Sequence, residues 1–415
     1  MPISGERIER GIAAIARATA TPGRGADRPT FSTAWSEAVD YVVAEARACG
    51  CSVRIDAAGN VHLRPHAFGV GEPLWLSGSH LDSVPHGGDF DGVVGVVVPL
   101  EVLRAAQEDN RPAPPIELII FAEEEGTTFG LGMLGSRAWC GTIDATHLAE
   151  LRNADGHNYL EAGARYGVVA ERCGTDCLRT GDYRGMVEVH IEQGPGMWNR
   201  SQPVALVTNI NGRRQYQVKV TGTANHAGTT SMADRRDALA GAAEMIAAIE
   251  ALPSQLGQHA VATVGRIECR PNAINVVAEE ANFTIDLRAP SDEALDRGNS
   301  ELRQQLAAIA ERRRLQFDLH MTESQPATAL APQVCEKLRR AAQQLGCELP
   351  ETISGALHDA AIVARLLPTA MLFVASRDGI SHNPAEFSRT DDIALAARIL
   401  YATVGGDDEA ALSAS

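Results

Sequence analysis

The first half of the chain alternates short apolar runs with apolar positions at helical spacing. Residues 36–48 carry Val39, Val42 and Ala46 on one helical face, which predicts an amphipathic helix, and a second helical stretch lies near 94–106. Apolar runs of strand length predict strands at 52–55, 61–63, 74–77, 116–122 and 186–191. Such alternation is typical of an α/β domain with a mixed, largely parallel sheet that helices cover on both faces.

The pattern changes between 212 and 321, where the predicted order is β-α-β-β-α-β. The strands are at 215–220, 260–269, 274–288 and 315–321, and the helices are at 234–249 and 291–312. This order is typical of a ferredoxin-like α+β fold. The α/β rhythm then resumes, with a strand at 369–374 between helices at 333–345 and 391–403. We therefore predict a main domain built from 1–211 and 326–415, and an inserted domain at 212–325.

Composition excludes several classes of protein. The 415 residues include 53 acidic and 37 basic side chains, for a net charge of −16, so a nucleic-acid partner is not expected. No apolar run approaches ~20 residues, so we expect no membrane span. The amino terminus lacks the apolar core of a signal peptide, and eight scattered cysteines fit reduced thiols. These features predict a cytoplasmic protein.

Histidines and carboxylates follow four of the predicted strands. The segments are Ser79-His80-Leu81-Asp82, Glu123-Glu124-Glu125, His190-Ile191-Glu192-Gln193 and Gly379-Ile380-Ser381-His382. Ligands gather at the carboxyl ends of strands in open α/β sheets. Because zinc and manganese accept imidazole and carboxylate ligands, the joint pattern predicts a metal centre. Asp82 is positioned to hold the imidazole of His80, and Asp91 could bridge two ions.

The three consecutive glutamates, Glu123 to Glu125, would repel one another after a buried strand. One of them can bind metal while its neighbour acts as a general base, and the sequence leaves open which does which. Taken singly, each cluster also fits a structural role, such as an acidic helix start or a core histidine. Six other histidines have no such setting and are expected to be surface or structural residues: His62, His66, His147, His157, His259 and His320.

Seven segments together resemble the hydantoinase/carbamoylase amidases of the dinuclear M20 metallopeptidase superfamily. They are GSHLDSVPHGGDFDGVVGV, FAEEEGTTFGLGMLGSRA, VEVHIEQGPG, ANHAGTTSMADRRDAL, NAINVVAEEANFTIDLRAP, SGALHDA and GISHNPAEF. The resemblance extends over residues 30–405 in the family's order. Its relevant members are N-carbamoyl-L-amino-acid hydrolase, allantoate amidohydrolase and β-ureidopropionase.

This resemblance implies two divalent ions per subunit, either Zn, Mn, Co or Ni. It assigns His80 and His190 to one ion, Glu125 and His382 to the other, and Asp91 to both. Glu124 is then the general base, and Asp82 is the partner of His80. The inserted domain is expected to be a lid and dimerisation domain in a homodimer.

The same resemblance implies residues that contact the substrate. His226 is expected to reach the partner subunit's site and polarise the scissile carbonyl, Asn275 and Arg288 to bind the substrate carboxylate, and Gln193 to contact the ureido group. The expected reaction cleaves the ureido C–N bond of an N-carbamoyl-L-amino acid to the amino acid, ammonia and CO2.

Other functions remain open at this point. Allantoate amidohydrolase or β-ureidopropionase activity is the nearest alternative, followed by a peptidase or acylase and by a non-catalytic binding protein. The chain departs from the family's usual residues at Leu357, Asp378 and Thr127-Thr128. Because these departures could reshape the pocket, hydrolase chemistry is predicted more firmly than any one substrate.

Overall fold

The computed structural model describes residues 2–69 and 71–412, with side chains through Gly405. Its strands are β1 Cys51–Ile55, β2 Val61–Pro65, β3 Leu74–His80, β4 Ile116–Phe121, β5 Tyr183–Ile191, β6 Val204–Ile210, β7 Gly212–Thr221, β8 Asn225–His226, β9 Val261–Thr263, β10 Ile267–Arg270, β11 Val276–Val277, β12 Glu280–Ala289, β13 Gln316–Gln325, β14 Thr328–Ala329, β15 Glu351–Ser354 and β16 Thr369–Val374.

The α-helices are α1 Gly5–Arg17, α2 Thr33–Ala48, α3 Val93–Glu108, α4 Leu134–Trp139, α5 Ala145–Glu150, α6 Tyr159–Gly163, α7 Gly196–Asn199, α8 Ala238–Ala251, α9 Pro253–Leu256, α10 Asp292–Arg313, α11 Pro332–Gln344, α12 Asp359–Val363 and α13 Thr390–Leu412. Short 3₁₀ turns occur at Ala164–Tyr166, Ala170–Arg172, Thr180–Asp182, Met232–Asp234 and Arg377–Gly379.

The chain forms two compact units. The first comprises the described residues up to Thr208, Leu330–Thr352 and those from His358 onward. The second comprises Asn209–Ala329 together with Ile353–Leu357. The five residues 353–357 belong to the second unit although their flanking segments belong to the first. Neither composition nor periodicity distinguishes them from those flanks in the sequence.

A nine-stranded mixed sheet runs in the order β1-β2-β4-β3-β5-β16-β6-β14, with β15 also paired to β6. The four neighbours β4, β3, β5 and β16 are parallel, whereas β2 and β6 extend them antiparallel on either side. The expected α/β class is therefore confirmed, but the sheet is less parallel than predicted, because parallel pairing is confined to its centre.

The four central strands consist of buried residues along almost their whole length. Helix α3 is buried from Val93 to Ala106, which fits a helix packed against the face of a covered sheet. Parallel strands end at the same edge, so the segments that follow β3, β4, β5 and β16 meet there. This edge of the first unit carries the residues of interest.

The second unit contains a five-stranded antiparallel sheet in the order β10-β12-β7-β13, with β9 also paired to β12. Strand β12 alternates strictly between partly exposed and buried positions, and its buried face joins the core formed with α8 and α10. The strand predicted at 260–269 is divided into β9 and β10, which pair with successive parts of β12. The strand predicted at 274–288 is likewise divided, and its first part, β11, pairs with β8.

Candidate metal centre

Five of the predicted ligand residues converge at the carboxyl edge of the central strands. His80 is the last residue of β3, and His190 is the last but one of β5. Asp91 directly precedes the turn into α3, Glu125 lies in the loop after β4, and His382 lies in the loop after β16. Their donor atoms form two groups, namely His80, Asp91 and His190, and Asp91, Glu125 and His382.

Asp91 lies at the centre of both groups. Its Oδ1 is 3.1 Å from Nε2 of His190 and 3.7 Å from Nε2 of His80. Its Oδ2 is 3.2 Å from Nε2 of His382, and this nitrogen is 3.6 Å from Oε2 of Glu125. The two oxygens of one carboxylate therefore face two different sets of donors.

Backbone carbonyls fix the tautomers of the two buried histidines. Nδ1 of His80 donates to the carbonyl of Asp82 at 3.0 Å, and Nδ1 of His190 donates to the carbonyl of Ile191 at 2.9 Å. The proton of each neutral ring is thus on Nδ1, and its Nε2 lone pair faces Asp91. A lone pair that faces a carboxylate needs a proton or a cation between them.

The role predicted for Asp82 requires a correction. Its carboxylate Oδ1 lies 3.7 Å from Nδ1 of His80, beyond hydrogen-bond distance, and its backbone carbonyl holds the imidazole instead. The carboxylate accepts the N–H groups of Glu124 and Glu125, at 3.3 and 3.0 Å. Asp82 therefore fixes the backbone of the two glutamates more directly than it fixes the ring.

The three glutamates have distinct environments. Glu125 joins the group with Asp91 and His382, and Oε2 of Glu124 lies 3.7 Å from Nε2 of His80. Glu123 turns away, and its Oε1 accepts the N–H groups of Thr128 and Phe129, each at 2.8 Å. The structure thus gives three adjacent residues distinct surroundings, which the residue pattern by itself did not distinguish.

Burial and mutual repulsion dominate the electrostatics. Burial raises the pKa of Glu124 well above its usual range, and burial with the nearby Asp91 raises the pKa of Glu125 to about 7. Burial alone would also raise the pKa of Asp91, but hydrogen bonds with His190, His382 and His80 hold it well below its usual range. Without a cation, the cluster therefore retains protons that metal binding would release.

These donors fit divalent metal ions. Ligands about 2.0 Å from a tetrahedral ion are about 3.3 Å from one another, and the contacts around Asp91 span 3.1 to 3.7 Å. The donors are imidazole nitrogens and carboxylate oxygens, which suit zinc, manganese and similar ions. The fixed Nδ1–H tautomers leave the Nε2 atoms of His80 and His190 available for coordination.

Gln193 lies beside this cluster. Its Nε2 donates to Oδ2 of Asp91 at 2.9 Å, and its Oε1 is buried without a hydrogen-bond partner among the described residues. The amide nitrogen therefore holds the carboxylate of Asp91, whereas the amide oxygen is left for another hydrogen-bond donor.

The other predicted substrate residues belong to the second unit. The ladder of β8 with β11 places His226 opposite Val276, and the N–H of Ala227 donates to the carbonyl of Asn275. Nδ1 of His226 accepts N–H groups from Gly228 and Thr229, so the neutral ring carries its proton on Nε2. His226 and Asn275 are both exposed.

Arg288 has a partner that the sequence analysis did not identify. Its Nε and Nη2 contact the two oxygens of Asp286 at 2.8 and 3.3 Å, and its Nη1 donates to the carbonyl of Gly355 at 2.9 Å. The guanidinium is therefore held in place on a half-buried strand position of the second unit.

Two further buried polar residues, His358 and Glu188, lie beside the predicted ligands and were not among the residues predicted from the sequence. His358 packs 4.4 Å from His190 between ring centroids, and it forms a third donor group with His190 and Glu188. Burial raises the pKa of Glu188, which accepts the hydroxyl of Ser79 at 2.7 Å. A charged residue within the apolar run of β5 was the signal that could have identified Glu188. His358 stood in the quoted SGALHDA segment without being considered.

The six histidines predicted to be structural or surface residues are either buried in a polar network or exposed at the surface. His62 is buried between Asp56 and Glu117. The remaining five are exposed, namely His66, His147, His157, His259 and His320. Across residues 2–69 and 71–412, no helix combines the length and the apolar character needed to traverse a bilayer.

Comparison with known proteins gives consistent matches along the chain. Residues 76–405 match the family described as Peptidase family M20/M25/M40. The N-carbamoyl-L-amino acid amidohydrolase of Geobacillus stearothermophilus is 36% identical over 97% of this chain and 98% of its own length. The allantoate amidohydrolase of Escherichia coli (strain K12) is 29% identical over 95% and 96% of the two chains. The crystal structure of a hydantoinase/carbamoylase family amidase from Burkholderia multivorans superposes with a TM-score of 0.90 at 32% identity, and covers 97% of this chain and 98% of that one.

Proposed function

Because this chain belongs to peptidase family M20/M25/M40, we propose that it is a metal-dependent amidohydrolase that cleaves the ureido C–N bond of an N-carbamoyl-L-amino acid. The products are the amino acid, ammonia and CO2. The observation that carries the proposal is the arrangement around Asp91, whose two oxygens face two separate sets of metal donors. The carboxylate of Glu124, which belongs to neither set, lies beside them.

We assign two divalent ions to the site, either Zn, Mn, Co or Ni. His80 and His190 would hold one, Glu125 and His382 would hold the other, and Asp91 would contribute to both. A ureido carbonyl is a poor electrophile because two nitrogens donate into it. When bound, the ions supply the Lewis acidity that polarises such a carbonyl and acidifies water.

Glu124 is the general base in this proposal. It lies within the site and outside both donor groups, and burial raises its pKa well above the usual range of a glutamate, which strengthens it as a proton acceptor. Glu124 accepts a proton from the attacking water and then returns it to the leaving nitrogen. Asp82 keeps the Glu124 backbone in place through the N–H contacts described above.

The second unit supplies substrate recognition in this proposal. It corresponds to the inserted ferredoxin-like lid and dimerisation domain of 212–325, and the remainder is the catalytic domain. Arg288, with its guanidinium oriented by Asp286, pairs with the substrate carboxylate together with Asn275. Gln193 contacts the ureido group through its unpartnered oxygen.

His226 acts across a homodimer. Its Nε2–H, set by the two amides that donate to Nδ1, polarises the scissile carbonyl in the partner subunit's site. We also assign the protein to the cytoplasm, because its eight cysteines are free thiols, as is usual in a reducing compartment.

A substrate panel tests the reaction. The protein loaded with Mn²⁺, Co²⁺ or Zn²⁺ is offered N-carbamoyl-L-amino acids, N-carbamoyl-β-alanine and allantoate, and kcat/KM is measured from ammonia release. The proposal expects the highest kcat/KM for an N-carbamoyl-L-amino acid. A preference for allantoate would instead favour allantoate amidohydrolase activity, the alternative supported by the similarity to the Escherichia coli enzyme at 29% identity. Amino acid release from acylated substrates without ammonia would contradict ureido hydrolysis.

Mixed dimers test the role of His226. Neither His226→Ala nor Glu124→Gln should be active alone, because each lacks one essential group at every site. After subunit exchange, one site of each mixed dimer has both groups, so about a quarter of the parental activity should return. If the mixture stays inactive although mixed dimers form, His226 does not act in the partner subunit's site.

A further inference from the structure

Glu386 lies outside both donor groups, and its carboxylate links the chain segment of Asp91 to the chain segment of His382. Glu386 is only 5% exposed, and its Oε2 accepts the N–H groups of Phe90 and Asp91, at 2.8 and 3.0 Å. Its Oε1 accepts the hydroxyl of Ser381 at 2.7 Å. Asp91 and Glu386 are 295 residues apart in the chain, so this side chain joins distant segments.

Both ends of this link touch residues of the centre directly. Asp91 is the carboxylate shared by the two groups, and Ser381 immediately precedes His382. Oγ of Ser381 also lies 3.4 Å from Oδ2 of Asp91, the oxygen that faces His382. Glu386 therefore fixes the distance between Asp91 and His382 from outside the centre.

The surroundings of Glu386 are built to hold it. A Cβ at Gly88 would lie 2.2 Å from Oε2 and 2.4 Å from Cβ of Glu386, so glycine leaves the space that the side chain occupies. The backbone of His382 has a φ of 55°, in the left-handed region, and this conformation needs support from its neighbours. The hydrogen bond from Ser381 to Glu386 supplies such support at the adjacent residue.

We propose that Glu386 is a positioning residue that sets the affinity of the metal site formed by Asp91, Glu125 and His382, with less effect on the site formed with His80 and His190. The inference rests on the proposed dinuclear centre. An effect of Glu386 on metal affinity is expected because hydrogen-bond partners of metal ligands fix the orientation of those ligands. Asp91 is common to both groups, but only one of them also contains His382, whose neighbour Ser381 donates to Glu386. The backbones of His80 and His190 are instead held in strands β3 and β5.

Titration of the metal-free full-length protein with Co²⁺ tests this proposal without relying on activity. The unmodified protein should take up two ions, and Glu386→Ala should weaken one of them by about 10- to 100-fold while the other keeps its affinity. Co²⁺ absorption bands should report changed ligand geometry at the weakened site only. Equal affinities in Glu386→Ala and the parent, or equal weakening of both ions, would overturn the role of Glu386. Failure of the unmodified protein to bind Co²⁺ would instead overturn the metal centre itself.

Further variants separate positioning from general damage. Glu386→Gln keeps an oxygen that accepts the two backbone amides, so its metal affinity should stay near the parental value. If the negative charge of Glu386 were what mattered, this variant would bind metal weakly as well. Gly88→Ala should displace Glu386 and reproduce the selective loss, with no additional loss in the double variant with Glu386→Ala. Glu101→Gln is the matched control, because Glu101 is also buried and accepts a backbone N–H, from Ser4, outside the centre. Parental affinity for both ions in Gly88→Ala, or a selective loss in Glu101→Gln, would contradict the proposal.

Discussion

At the scale of single residues, strained backbone conformations lie next to the metal donors. Glu123, Gln193 and His382 all have φ values between 55° and 58°, a region that non-glycine residues seldom occupy. Each such residue costs about 1–3 kcal/mol, and the surrounding hydrogen bonds must hold it. Two of these residues, Glu123 and Gln193, lie two residues after the ends of β4 and β5, and the third is the candidate ligand His382 itself.

The residue whose substitution best separates catalysis from metal binding is Glu124. Glu124→Gln should lower kcat by about 10²- to 10⁴-fold, because it removes the proton acceptor. Metal content should stay parental, since Glu124 belongs to neither donor group. Steady-state kinetics and elemental analysis of the same preparation measure both. Glu192→Gln is the neighbouring control, because its carboxylate accepts the N–H of Met197 and is outside the donor groups. Loss of metal from Glu124→Gln would make Glu124 a ligand and remove it as the base.

At the scale of elements, the position of α3 depends on a close approach to β3 and β5. A Cβ at Gly95 would lie 2.5 Å from Cβ of Ser79 and 2.5 Å from the carbonyl oxygen of Val189. These two residues directly precede His80 and His190, and Asp91 lies just before the helix. Close packing of one helix on two strands therefore fixes three metal donors relative to one another.

Gly95→Ala should disturb both stability and metal binding. The added methyl group has to push α3 away from the sheet, which should cost about 1–3 kcal/mol of unfolding free energy, and metal affinity should fall because Asp91 moves with the helix. Urea denaturation and metal titration measure the two effects. Gly405→Ala in α13 is the control, because beyond the helix's own backbone no described atom lies within 4 Å of the new methyl group. Its stability should be unchanged or up to about 1 kcal/mol higher. A Gly95→Ala protein with parental stability would refute the close-approach argument.

A buried polar network connects β2, β4 and β5 away from the metal donors. His62 contacts Glu117 at 2.8 Å and Asp56 at 3.2 Å, and Glu117 also accepts Tyr183 and Arg64. Burial alone would raise the pKa of Glu117, but its hydrogen bonds, chiefly that from His62, lower it to about 2. Burial would lower the pKa of His62, yet its two carboxylate partners raise it above 6.5.

This network predicts a pH window for stability. The contribution of Glu117 is present above its unfolded pKa of about 4.5 and is lost as the pH falls toward 2. The contribution of His62 is present below its unfolded pKa of about 6.5 and is lost as the pH rises through its higher folded pKa.

Glu117→Gln should therefore lower the unfolding free energy most between about pH 4.5 and 6.5, by on the order of 3 kcal/mol. Denaturation curves across this range measure the difference. Glu348→Gln at an exposed position is the control and should change the unfolding free energy little. A difference for Glu117→Gln that does not vary with pH would contradict the predicted window.

At the scale of the whole molecule, negative charge accumulates inside the first unit. The two donor groups contain the carboxylates of Asp91 and Glu125, and further buried or nearly buried carboxylates lie around them, among them Asp82, Glu124, Glu188 and Glu386. The core of the second unit is apolar, and the described residues of that unit form no donor group. Divalent cations should therefore stabilise the first unit selectively.

Chelation should lower the stability of the first unit. With free ion at 100 times its dissociation constant, one bound ion contributes about 2.7 kcal/mol. Removal of the ions with EDTA should lower the melting temperature and speed hydrogen exchange in β3, β5 and α3. The amides of β7 and β12 serve as the internal control and should exchange at unchanged rates. Equal acceleration in both units, or none, would contradict a stabilising metal centre in the first.

The sequence by itself determined the features that depend on neighbours in the chain. Apolar runs identified the central strands, and the polar residues after them identified four segments whose side chains meet in the candidate donor groups, because side-chain periodicity and strand ends are local properties. The tertiary structure alone decided which atoms meet. It gave Glu123, Glu124 and Glu125 different surroundings. It also fixed the tautomer of His80 through a backbone carbonyl and placed the carboxylate of Glu386 beside the backbone of Asp91. Those contacts depend on distances between segments that are remote in the chain, and such distances are set by the packing of strands and helices.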